Sequence, residues 1–165
     1  MKRETYEQIF APDNRSLLEI RVFDTTIADW QIVLDHLTRN YLVSFSEDGV
    51  TAPLPTASAI WQGPRNVSFL VAAMICGVSL NCQFFDVGQI QMNLLPEEVN
   101  SVEKAEAVFR VMTDIASLLK KEVLLTSEFG RATREKLREI AVCRVDGQNS
   151  LLVSRLDADE DAGTI

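Results

Sequence analysis

The amino-acid sequence predicts an α+β fold, a two-layer sandwich with two main helices packed on one face of a mostly antiparallel sheet. Three observations predict it. First, Asn66 to Phe85 carries no charge in a chain that is 24% charged, and from Val78 onward Val78, Leu80, Cys82 and Phe84 alternate with Ser79, Asn81 and Gln83. A two-residue period belongs to a strand with one buried face, so the block reads as sheet and not as a membrane span. Second, two stretches carry apolar residues at helical spacing: Ile27, Trp30, Val33, Leu34, Leu37, and then Val102, Ala105, Val108, Phe109, Met112, Ile115, Ala116, Leu119. Third, the elements run β-α-β, a three-stranded meander, α-β and a C-terminal hairpin.

Each element has a local cause. Residues 1–15 are a polar lead-in. Leu17, Leu18, Ile20, Val22 and Phe23 form a first strand, with Glu19 and Arg21 sharing one face. Thr26 with Asp29 makes a capping box, and the helix that follows ends near Asn40. Tyr41–Ser46 is a short strand closed by the Glu47-Asp48-Gly49 turn. The 47–65 segment holds Pro53, Pro55 and Pro64 and is irregular, apart from a turn or two of helix over Thr56–Trp61 with Thr56 as cap. Strands at 67–75 and 78–85 meet at Cys76-Gly77, where a tight hairpin needs positive φ. Asp86-Val87-Gly88 turns into a third strand, in which Ile90, Met92 and Leu94 alternate with Gln89, Gln91 and Asn93. Asn100 with Glu103 caps the second helix, and Lys120 and Lys121 meet its negative end. Val123–Thr126 is a strand, 127–138 a polar and basic stretch, and the final hairpin has Ile140, Val142 and Val145 on one arm and Leu151–Val153 on the other, turning at Asp146-Gly147.

The 165 residues suit a single domain, which can bury roughly two thirds of its unfolded surface. Its expected extent is 1–156, followed by an acidic, disordered tail at 157–165. The formal net charge is −8, but Asp157 to Asp161 supplies four acids and no base, which leaves 20 of the 24 acids against 16 bases in the body. A mildly acidic body repels nucleic acid and suits a basic protein partner. No secretory signal opens the chain and no membrane span interrupts it, so the expected location is cytoplasmic. Cys76, Cys82 and Cys143 lie in apolar strand patterns without a Cys-x-x-Cys pair and read as buried, reduced thiols. A single histidine, His36, excludes a multi-histidine metal site within one chain.

Five places in the chain carry residues that could form a site. The polar meander positions Asn81, Gln83, Gln89, Gln91 and Asn93 share the face away from the helices and present amides where charges are usual; together with Trp61, whose simpler reading is a plug against the core, they are the candidate partner-binding residues. The Asp24-Thr25-Thr26 junction could bind an anion, but Asp24 repels one and capping explains it better. A dyad of His36 with a cysteine fails because His36 falls off the apolar stripe, toward solvent. The acid pairs Glu97-Glu98 and Glu47-Asp48 sit at a helix start and in a turn. The basic run Arg131–Arg138 is interleaved with the acids Glu135 and Glu139 and reads as a salt-bridged surface helix. No phosphate loop, nucleophile elbow or zinc-protease motif occurs, so no catalytic residue, metal or cofactor is assigned.

In size, acidity and want of a catalytic constellation, the chain resembles the small acidic α+β proteins that bacteria use as immunity or antitoxin partners. The resemblance covers no motif and transfers no residue. What it implies is a non-enzymatic, cytosolic protein-binding domain that inhibits a basic partner. The alternatives are a small-molecule-binding or enzymatic domain with its site near the 47–65 segment and Trp61, and a structural homo-oligomer paired along an open edge strand.

Overall fold

The computed structural model describes residues 9–10, 17–127, 133–141, 143–146 and 151–153. In chain order the elements are β1 (Leu18–Phe23), α1 (Ile27–Asn40), β2 (Leu42–Glu47), β3 (Val50–Ala52), α2 (Ala57–Gln62), β4 (Phe69–Ile75), β5 (Val78–Asp86), β6 (Gln89–Leu94), a 3-10 turn (Pro96–Glu98), α3 (Val102–Leu119), β7 (Val123–Ser127), α4 (Arg134–Ile140), β8 (Cys143–Val145) and β9 (Leu151–Val153). The nine strands form one sheet in the order β3-β2-β4-β5-β6-β1-β7-β8-β9. Every neighbouring pair among them is antiparallel. The chain is therefore the α+β sandwich its sequence predicts, with α1 and α3 on one face.

Strand parity builds the core. Ile20, Val22, Val71, Ala73, Val78, Leu80, Ile90, Met92 and Leu94 point to the helix side and are fully buried. They meet Trp30, Val33, Leu34 and Leu37 of α1 and Val108, Met112 and Ile115 of α3. Burying each such side chain contributes about 1.5–3 kcal/mol. Ile9 and Phe10 belong to the same core, Phe10 lying 5.7 Å from Phe109 between ring centres. The rest of the lead-in and the tail at 157–165 lie outside the described residues.

Turn chemistry sets the meander. Cys76 (φ 50°) and Gly77 (φ 79°) both take left-handed φ, as a two-residue hairpin requires, and Asp48 (φ 47°) and Gly49 (φ 80°) do the same between β2 and β3. The capping box at α1 is present: Asp29 N–H donates to Thr26 Oγ1 (3.2 Å) and Thr26 N–H to Asp29 Oδ2 (2.8 Å). Burial pushes the Asp29 carboxyl up, but hydrogen bonds from Lys121 and Thr26 outweigh it and hold the group below its ordinary range.

The structure departs from the sequence reading at several points. The α3 cap is Ser101, whose Oγ accepts from Lys104 N–H, one residue past Asn100. The strand β3 was hidden in the irregular 47–65 segment, because three residues are too few to show alternation. Ile140 ends α4 instead of opening the hairpin, since the Thr133 cap starts a helix that runs through it; Val142 and Gly147 lie outside the described residues. Cys76 is exposed, because it occupies the turn and not the strand, whereas Cys82 is buried. The side chain of Cys143 also lies outside the described residues. Finally, the face away from α1 and α3 is not open throughout: α4 packs Leu137 and Ala141 onto Leu124, with Phe23 beside them.

Candidate functional site

The sheet register decides which polar residues meet. On the face away from α1 and α3, Asn81 lies opposite Asn93, and Gln83 opposite Gln91. Across the next pair, Asn93 faces Glu19 and Gln91 faces Arg21. The amides of β5 and β6 therefore run in rows into a charged pair on β1. Arg21 Nε donates to Glu19 Oε2 (2.9 Å), and Gln91 Nε2 donates to Glu19 Oε1 (2.7 Å). Glu19 and Arg21 are 4% and 5% exposed, so this pair is inside the protein. Burial demands such compensation, since an ion without its partner costs several kcal/mol there.

The same register shows how the predicted binding residues divide. Asn81 and Gln83 remain half-exposed, while Asn93 is buried and Gln91 is committed to Glu19. Gln89 is half-buried opposite Phe23, and its amide nitrogen has no hydrogen-bond partner among the described residues. Trp61 is not with them. It lies in the helix layer, its ring 5.5 Å from Trp30 and 6.0 Å from Phe84.

Parity also brings residues to this face that sequence reasoning missed. Leu42 pairs with Met74, Ser44 with Ala72 and Ser46 with Leu70. Leu42 is 80% exposed and Met74 47%. Alternation could not flag Leu42, because Tyr41, Leu42 and Val43 are all apolar. From β2 across β4 to the β5 bulge the outer face thus consists of Leu42, Ser44, Ser46, Leu70, Ala72, Met74, Ser79, Asn81 and Gln83, without one charge; beyond the bulge Asp86 lies opposite Gln89.

The other candidates are occupied by structure. At the Asp24-Thr25-Thr26 junction, Thr25 N–H donates to Gly88 O (3.1 Å) and Thr26 N–H to Asp29, leaving neither for an anion. Glu98 accepts from Ser79 N–H (2.8 Å), and Asp48 from Ser68 N–H (2.8 Å). The basic residues of α4 tie it down: Arg138 lies 2.9 Å from Glu122 and Arg134 2.7 Å from Asp24. His36 does not face solvent as its helix position suggested. Helix α3 packs across it, and its Nε2 sits 3.4 Å from Asp114. Burial pushes the Cys82 thiol up to about 12, which keeps it protonated and unreactive. Among the described residues no cluster of three His, Cys, Asp or Glu could hold a metal, and no helix is long and apolar enough to cross a membrane.

No protein-family model and no curated protein matches the chain. Among solved structures, it is similar to one chain of a crystal structure of the toxic C-terminal tip of CdiA from Pseudomonas aeruginosa in complex with its immune protein, the complex containing both proteins. The identity is 12% and the TM-score 0.46, over 84% of this chain and 97% of that one. A likeness this slight bears on neither fold nor function.

Proposed function

We propose that the chain is a non-enzymatic protein-binding domain that docks its partner on the outer face of β2, β4 and the Val78–Gln83 part of β5, where no charge lies. In its finer form the proposal is an immunity-like inhibitor of a basic protein. The observation that carries it is the charge-free patch itself. Protein interfaces are depleted in charge at their centre and carry apolar and hydrogen-bonding groups there. Leu42 and Met74 supply the apolar part, and Ser79, Asn81 and Gln83 the hydrogen bonds. The surplus of 24 acids over 16 bases in the whole chain would favour encounter with a basic partner.

Affinity purification of tagged protein from its native cells, at low salt, tests the reading. A stoichiometric basic partner is expected, and its binding should fall by at least about tenfold in Gln83→Lys and Asn81→Lys variants that melt normally. Binding that survives both substitutions would move the interface to another surface. Recovery of no partner would count against the function itself.

A further inference from the structure

The strand pairing of β4 with β5 stops at Leu70 and Gln83, and the register of β5 with β6 shifts between Gln83 and Asp86. This bulge releases Phe84 and Phe85 from the regular ladder, and such irregularities re-aim side chains. Phe84 turns under α1 and stacks on Trp30 with ring centres 4.7 Å apart, while Phe85 is left 73% exposed. The splayed strand ends and the loop after α2 enclose a cleft of about 610 Å³. Its walls are Trp61, Phe69, Phe84 and Phe85, with Ile27 and Val87 at the mouth. The loop lies so close that a Cβ at Gly63 would meet Phe69 Cζ at 2.9 Å, so the wall is held in place.

Two charged residues also line this cleft, and they differ in what they are free to do. Asp86 Oδ1 accepts from Gly88 N–H (2.8 Å), which commits that oxygen to the β5–β6 turn. The exposed Arg65 makes no ion pair and no side-chain hydrogen bond among the described residues. A volume in the range of small-molecule sites, aromatic walls and one cation free to recruit a ligand define complementary chemistry. We propose that the cleft binds an amphipathic monoanion, a largely aromatic or apolar body bearing a single carboxylate or sulfonate. The rings of Trp61, Phe84 and Phe85 take the body, and Arg65 takes the anionic head by a charge-assisted hydrogen bond. Asp86 on the same wall disfavours a dianion and holds the head to the Arg65 side. The site is separate from the uncharged sheet face, and does not depend on the protein-binding reading.

The probe is 8-anilinonaphthalene-1-sulfonate, with N-phenyl-1-naphthylamine as the same body lacking the sulfonate. Fluorescence titration of the full chain should give one saturable site with a dissociation constant on the order of 10–100 μM for the sulfonate. Arg65→Gln should weaken the sulfonate about tenfold and leave the neutral probe unchanged, which is the worth of one charge-assisted hydrogen bond. Phe85→Ser should weaken both probes; Val87→Ser serves in its place if that variant melts early. Non-saturating fluorescence, or sulfonate binding unaltered by Arg65→Gln in a protein that melts normally, would overturn the proposal. So would equal loss of both probes in Arg65→Gln.

Discussion

The outer face of the sheet has two halves that solve opposite problems. Over β2, β4 and β5 as far as Gln83 it is uncharged and open to solvent, with Leu42 and Met74 exposed beside Asn81 and Gln83. Over β1 and β7 it holds Glu19 and Arg21, and both are buried. Charges lie where the protein covers them, and are missing where water reaches. The usual surface places charge outward, so the inversion separates two uses of polar groups. At β1 the ion pair is part of the interior and must be satisfied there. At β5 neutral amides can exchange water for a partner at low desolvation cost.

This contrast can be broken experimentally, starting from the covered half. Glu19→Ala leaves the Arg21 guanidinium buried without the carboxylate that Gln91 also contacts; urea denaturation should show a loss of about 3–5 kcal/mol. The double variant Glu19→Met with Arg21→Met removes both charges and should recover most of that loss, because apolar replacement of a whole buried pair is often near neutral. If the double variant is as unstable as the single one, shape and not charge holds this half together. Leu137→Ala should cost about 2–3 kcal/mol and raise hydrogen exchange over β7, since Leu137 and Leu124 are both fully buried where α4 meets the sheet. Thr126, opposite Glu19, is fully buried and its hydroxyl lacks a partner among the described residues. Thr126→Val should therefore stabilise by about 1 kcal/mol, read as a rise in melting temperature. The smallest effect belongs to the open half: Gln83→Lys should change stability by no more than about 0.5 kcal/mol. A large loss there would mean that the face is internal.

Much of this was legible in the sequence, and the illegible parts share a cause. Periodicity marked the meander, both main helices and the faces on which Glu19 and the amides lie, because the side-chain period of a strand is set by its backbone. It could not show that Glu19 and Gln91 would touch, since that contact depends on pairing between strands 72 residues apart. The Cys76-Gly77 turn was legible and takes its positive φ, but the apolar surroundings of Cys76 suggested a buried thiol, and a turn residue is exposed instead. Trp61, grouped with the amides as a binding residue, packs against the core instead, and its partner Phe84 is aimed by a bulge that no alternation pattern announces. The α4 contact escaped because a seven-residue helix with a single buried leucine has no stripe to detect.

The position of β1 has a consequence for how the molecule is made. The first strand of the chain is the central joint of the sheet, bonded on one side to β6 and on the other to β7. Neither partner exists until Leu94 and then Ser127 have been synthesised. The β2–β6 portion can zip through short hairpins, while β1 waits with Glu19 and Arg21 in water. Its insertion closes the longest loops among the described strand pairings, which predicts that it is the slow step of folding. On that order the ion pair is desolvated as β1 inserts, so a stopped-flow folding rate should respond to Glu19→Ala.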